Sequence, residues 1–182
     1  MKLYYMPGAC SIAPNIALRE AGLQFTLEAV DYGTRKTEHG QDCRCITPTG
    51  TGHTFVVDPL KGRPEVTVIL QYIDKLAPEA NLLPTQDMQR LRALEWLSYI
   101  ATEIHKSGSQ VFRPSTPDSF RIPGIDHLKN RVALIENHLQ QNIYLVGDSV
   151  TLPDLYLYTV CRWFVDLDIA LEETPALKTY ID

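Results

Sequence analysis

The sequence predicts an α/β domain followed by an all-α domain, on three observations. Residues 1–20, MKLYYMPGACSIAPNIALRE, read as a short strand (Lys2 to Met6), a Pro7-Gly8 turn and a helix. Phe25 to Val30 alternates as a strand does, which closes a strand–helix–strand unit whose two strands run parallel. Beyond Ala77-Pro78-Glu79-Ala80-Asn81-Leu82-Leu83-Pro84, a linker by composition, the periodic segments all have helical spacing. The expected boundaries are 1–77 for the first domain, 78–84 for the linker and 85–182 for the helical domain.

The elements follow in order. Helix one is expected from Ser11 to Ala21, ended by Gly22 as the residue after the cap and by the apolar Leu23. Asp31 to Gln41 is polar and reads as loop with a short helical turn, and 47–52 is turn chemistry throughout. Thr54 to Val57 reads as a third strand. Glu65 to Leu76 is ambiguous, because Val66-Thr67-Val68-Ile69 favours a strand by propensity. Its apolar set Val66, Ile69, Leu70, Ile73 and Leu76 has helical spacing and runs too long for a strand, so a helix is expected, with Pro64 at its start. In the second domain Met88, Leu91, Leu94, Leu97, Ala101 and Ile104 define one long amphipathic helix, and Leu128, Val132, Ile135 and Leu139 a second. A third begins at a capping box, Thr151 with Asp154, across which Val150 can staple to Leu155.

Composition narrows the function classes. Hydrophobic content of 45% and charged content of 21% are ordinary for a globular chain, and 182 residues supply ample core. A formal net charge of −5 with no basic run argues against nucleic-acid binding. No apolar run is long enough to span a bilayer, and Pro7, Gly8 and Asn15 interrupt any signal-peptide core. No membrane partner and a cytoplasmic location are therefore expected, with Cys10, Cys43, Cys45 and Cys161 reduced and outside any disulfide framework.

Cys10 stands where the first helix begins. Unpaired N–H groups and the positive end of the peptide dipole at such a place favour the thiolate, which is the reactive form. Two readings stay open from the local pattern: a reactive thiol, or a small buried core residue. A zinc site from His39, Asp42, Cys43, Cys45 and His53 has the ligand types but not the usual spacing, so no metal is expected. Neither G-x-S-x-G nor a Gly-rich phosphate loop is present.

Four stretches carry a resemblance: KLYYMPGACSIAPNIALRE, EWLSYIATEIHK from Glu95, FRPSTPDSF near Phe112, and VTLPDLYLYTVCRW from Val150. In order and separation the chain resembles a bacterial glutathione transferase of the beta class, the cysteine type. The resemblance implies a thioredoxin-like N-terminal domain, a helical C-terminal domain and a homodimer. It implies glutathione as co-substrate, bound between the domains and joined through its thiol to a hydrophobic electrophile. It further implies that Cys10 can form a mixed disulfide with glutathione, with thiol-transfer and peroxide-reducing side activities. By position, Cys10 and His105 become the catalytic pair. Tyr5, Tyr32, Arg35, Gly52, Glu65, Val66, Ser98 and Glu103 fall where glutathione is held. The ligand has two carboxylates and one amine, which suits the planar fork of Arg35, the Glu65 carboxylate and the adjoining helix N–H groups. Ala13, three residues after Cys10, occupies the place of a resolving thiol, so a mixed disulfide awaits an external thiol.

Each of these residues also has a plainer reading. His105 can be a helix-terminal cation, Arg35 a solvated charge, Tyr5 a core side chain and Glu65 a helix cap.

The sequence departs from the family in the first domain. A Val-Pro dipeptide with a cis bond normally precedes the third strand, and an ungapped alignment from Gly40 to Ile73 puts Gly52-His53 there. A cis bond before a non-proline costs about 2.5–4 kcal/mol, so a trans or strained turn is expected. Pro59 to Pro64 cannot supply a regular hairpin strand, and the fourth strand is expected to be lost or very short. The family also normally continues for about another helix past the position of Asp182. Two other functions stay open: a non-catalytic module of the same fold that binds hydrophobic ligands or partner proteins, which the lost proline turn favours, and a glutathione-dependent thiol-disulfide transferase.

Overall fold

The computed structural model describes residues 1–46, 54–56, 65–111, 113, 115–166 and 173–182, the side chains of 54–56, 165 and 166 aside. It divides into two compact units, Met1–Leu82 and Leu83–Asp182.

In the first unit β1 (Lys2–Tyr5), α1 (Ile12–Glu20) and β2 (Thr26–Ala29) form the strand–helix–strand unit. β3 (Thr54–Val56) completes a sheet of order β2-β1-β3 among the described residues. β1 pairs parallel with β2 in the register Leu3 to Leu27, and antiparallel with β3 in the register Leu3 to Phe55. Leu3 and Tyr4 are both buried, so this central strand is covered on both faces. Tyr4 and Met6 pack with Val30 and Cys43, which makes Cys43 a core residue.

Helix α1 ends as its sequence predicts. The amide of Gly22, at φ +64°, donates to Arg19, and Leu23 donates to Leu18, the paired bonds of a Schellman motif. The helical turn of the loop after β2 comes later than expected: 31–41 holds none, and a 3-10 turn forms at Cys43–Cys45, where Asp42 Oδ1 accepts from the Arg44 amide. Asp31 Oδ1 accepts from both the amide and the hydroxyl of Thr34, and bridges Val30–Thr37 and Lys36–Asp42 follow. This side-chain turn competes with helix for the same backbone donors. The ambiguous stretch is a helix, α2 (Val66–Leu76), with Val66, Ile69, Leu70 and Ile73 buried. Burial of that stripe against α1 outweighs the β propensity of the valines, and Val68 is left exposed. Gly52, the Gly52-His53 turn, Val57, Pro64 and any fourth strand lie outside the described residues.

In the second unit the long amphipathic helix is three segments end to end. α3 (Asp87–Tyr99) runs into a π-helical stretch, Ile100–His105, and then into α4 (Lys106–Val111). Met88 and Leu91 are exposed while Ala93, Leu97 and Ile100 are buried. A strict i+3 series turns back about 60° per step, so its first members leave the face that its last members bury.

α5 (Asp118–Leu139) buries Leu128, Val132, Ile135 and Leu139. Gly124 on it is dictated by packing, because a Cβ there would stand 2.9 Å from Cγ2 of Val111, a stiff β-branched side chain.

α6 (Leu152–Asp166) starts at the expected Thr151–Asp154 pair, but the bonds differ from a full capping box. Asp154 Oδ2 accepts from the Thr151 amide and from its hydroxyl, so Thr151 Oγ1 donates to the carboxylate where a capping box would have it accept an amide. Asp154 Oδ1 accepts from the Leu145 amide and the Tyr180 hydroxyl. α7 (Pro175–Ile181) is held at its start by the buried Glu136, which accepts from the amides of Ala176 and Leu177. No helix among the described residues is long and apolar enough to cross a membrane.

Candidate functional site

Cys10 is placed by the turn between β1 and α1. Pro7 and Gly8 form a tight bend closed by the Ala9 amide on the Met6 carbonyl, and Gly8 takes φ +75°, which a side chain would strain. The buried Ser11 hydroxyl then clamps the bend, since it accepts from the Met6 amide and donates to the Met6 carbonyl.

The environment of the thiol differs from the one expected at a helix start. Burial pushes Cys10 up from 9.0 to about 12; its own backbone N–H partly offsets this, and the Glu65 carboxylate adds to it. The free helix amides assumed for a thiolate are already engaged. Ile12 and Ala13 donate to the Ala9 and Cys10 carbonyls, Asn15 donates to Ser11, and Pro14 has no N–H. In this environment Cys10 keeps its proton at neutral pH.

The other candidates in the first unit are arranged as follows. Tyr5 ends β1, half-buried, with its carbonyl accepting from Val30. Arg35 holds a left-handed φ of +57°, stabilised by its amide on Asp31 and by the Cys43 amide on its carbonyl. Its guanidinium lies 4.6 Å from the centre of the Tyr32 ring, so the cation is stacked rather than free in solvent. Glu65 precedes α2 with its side chain making no cap bond, which removes the helix-cap reading. Val66 beside it is buried.

In the second unit Ser98 is exposed on α3, and its carbonyl accepts from Thr102. Glu103 pairs with Arg131 at 3.4 Å. His105 closes the π-helical stretch and the helix continues to Val111, so it is not a helix-terminal cation. Its Nδ1 meets the Tyr156 hydroxyl at 2.5 Å, and Trp163 packs on the imidazole at 5.1 Å between ring centres. Sequence reasoning missed Tyr156 and Trp163 as site residues. Their spacing of seven, two turns on one face of α6, was the available signal.

Among the described residues no group of His, Cys, Asp and Glu is placed to hold a metal: Asp42 is committed to Arg44, Cys43 is buried and Cys45 is exposed, while His53 lies outside the described residues.

Cys10, Cys161 and Tyr180 all titrate above their ordinary range, chiefly through burial, with the Asp154 carboxylate second for Tyr180. Unfolding would release their protons between about pH 8.5 and 10, while the folded state keeps them, so stability falls as pH rises. Each group contributes a slope of about 1.4 kcal/mol per pH unit above its unfolded pKa. Melting temperatures should drop steeply from pH 8 to 10.5, and less steeply in Cys10→Ala; a flat profile would contradict the burial of these groups.

A thioredoxin-like unit with its cysteine at the first turn, followed by a helical unit, defines the class: the glutathione transferase architecture. The sequence profile of the glutathione S-transferase C-terminal domain matches residues 125–182. The chain is 36% identical to glutathione S-transferase GstA of Escherichia coli O157:H7, over 100% of this chain and 90% of that one. A sphingomonad glutathione S-transferase solved in complex with glutathione superposes with a TM-score of 0.93 at 35% identity, covering 100% of this chain and 90% of its own. The beta-class enzyme of Sphingomonas chungbukensis gives 0.93 at 32%, with the same coverage. The chain belongs to the glutathione S-transferase family.

Proposed function

We propose that the protein is a glutathione transferase of the bacterial beta-class type that joins the glutathione sulfur to electrophilic carbon. The observation that carries this is the similarity over the entire chain to glutathione S-transferases, one of them solved with glutathione. The sulfur of glutathione, as thiolate, attacks the electrophile and displaces its leaving group; the thiol proton passes to solvent.

In this reading Cys10 serves the sulfur as a donor. A thiol held near pKa 12 keeps its proton through the neutral range and can offer S–H to a thiolate beside it. Mixed-disulfide formation is then the slower branch: the rare Cys10 thiolate attacks oxidised glutathione and releases one glutathione thiolate. His105 is the second polar group at the sulfur. Arg35 on Tyr32 offers a fork for a ligand carboxylate, and Glu65 a partner for its amine. Tyr5, Val66, Ser98, Glu103 and Gly52 complete the glutathione contacts by their positions in the family pattern. The glutathione-binding domain is assigned to 1–77 and the helical domain to 85–182. A cytoplasmic homodimer fits as well, supported by the exposed apolar Met88 and Leu91, one turn apart on α3.

The test is the rate at which the purified chain conjugates glutathione to a chlorodinitrobenzene. Turnover above the uncatalysed rate, together with retention on immobilised glutathione and elution by the free tripeptide, is expected. Absence of both would leave the non-catalytic module as the function.

A further inference from the structure

Tyr156 is 1% exposed on α6, so its hydroxyl must find its partners within the protein, and one of them is Nδ1 of His105. The roles in this bond follow the tautomer; with the phenol as donor, a neutral Nδ1 accepts. The proton of the neutral ring then resides on Nε2. The ring plane is fixed from two sides. Tyr156 meets it edge-on, at 5.7 Å and 86°, and Trp163 meets it at 5.1 Å and 63°. The π-helical stretch explains how His105 reaches this position. One extra residue in a turn rotates everything after it by about 100°, and the stretch packs on α6.

We propose that Tyr156 is a positioning residue for the transfer reaction: it holds His105 as the Nε2–H tautomer, so that the imidazole acts as a neutral hydrogen-bond donor. This rests on the reading of His105 as the second polar group at the glutathione sulfur. A donor that stays neutral can stabilise a thiolate without surrendering its proton to it. In this role Tyr156 acts through the ring it orients.

The experiment compares wild type, Tyr156→Phe, His105→Asn and the double variant, as full chains whose folding is checked by circular dichroism. The probes are glutathione conjugation to a chlorodinitrobenzene and the ¹⁵N shifts of the labelled imidazole. Tyr156→Phe keeps the ring and removes only the hydroxyl. It should lower kcat about 10-fold, the order of one lost hydrogen bond, and leave KM for glutathione within twofold. It should also convert one His105 tautomer into a mixture. In the His105→Asn background, Tyr156→Phe should have no further effect on kcat.

An unchanged tautomer in Tyr156→Phe overturns the proposal, as do losses that multiply in the double variant, the mark of a purely structural tyrosine. If His105→Asn conjugates at the wild-type rate, the role given to His105 is wrong and the catalytic part of the proposal falls with it. If wild type conjugates nothing, the enzyme reading itself fails, while the ¹⁵N shifts still decide whether Tyr156 sets the tautomer.

Discussion

Replacing Asp154 by alanine is expected to destabilise the protein by about 3–5 kcal/mol, the cost typical of stripping a buried charged group from its partners. One carboxylate, 3% exposed, accepts from the Leu145 amide, the Thr151 amide, the Thr151 hydroxyl and the Tyr180 hydroxyl. Its removal leaves buried donors without an acceptor and takes a negative charge from the first turn of α6. It also unties three pieces of chain at once: the turn at Leu145, the start of α6 and the end of α7. At roughly 2–4 °C per kcal/mol for a chain of this size, the melting temperature should fall by about 6–20 °C. Asp154→Asn should fall between wild type and alanine, because its amide keeps one acceptor but opposes two of the four donors. Thermal melts at pH 7 decide it. A loss under 2 °C for Asp154→Ala would mean that the four bonds contribute almost nothing net.

The second large effect concerns the chemistry of Cys10. With its pKa near 12, the thiolate fraction at pH 7 is about a thousandth of that of a thiol at 9.0. The greater nucleophilicity of a high-pKa thiolate recovers only part of this, and burial limits access, so mixed-disulfide formation should be at least about tenfold slower than for an ordinary exposed thiol. Its rate should rise close to tenfold per pH unit from pH 7 to 9, where a thiol of pKa 7 would level off. Intact mass after incubation with oxidised glutathione measures this. The Cys10 adduct should be absent in Cys10→Ala, and any fast adduct should sit on the exposed Cys45. Rapid, pH-independent loading of Cys10 at neutral pH would show that the thiolate is favoured after all.

How far the sequence disclosed this arrangement depends on the range of the interactions. The strand–turn–helix around Cys10, the Gly22 terminator and the Thr151–Asp154 pair were readable because each is fixed by residues within a few positions. The helix from Val66 was readable because its apolar stripe ran longer than a strand. The thiol state of Cys10 was not readable: the helix-start argument assumed open amides, and Ile12, Ala13 and Pro14 offer none. The π-helical stretch at Ile100–His105 has no pattern that sets it apart from an α-helix, so the phase of His105 was hidden. The bonds from Tyr180 to Asp154 and from Ala176 and Leu177 to Glu136 bridge 26 to 41 residues, beyond any local signal. The resemblance supplied Arg35, Glu65 and Glu103 as candidates, but only the fold revealed Arg35 stacked on Tyr32 and Glu103 paired with Arg131.

The central claim is that this is a glutathione transferase in which Cys10 supports the glutathione sulfur as a hydrogen-bond donor. The most direct measurement is kcat/KM for conjugation of glutathione to a chlorodinitrobenzene in wild type, Cys10→Ser and Cys10→Ala. Serine keeps a donor at the position and loses the thiol nucleophile, so it should stay within about threefold of wild type; alanine should lose about tenfold, one hydrogen bond to a charged atom. Equal loss in both variants would assign Cys10 a covalent role, and wild-type rates in both would remove it from the reaction.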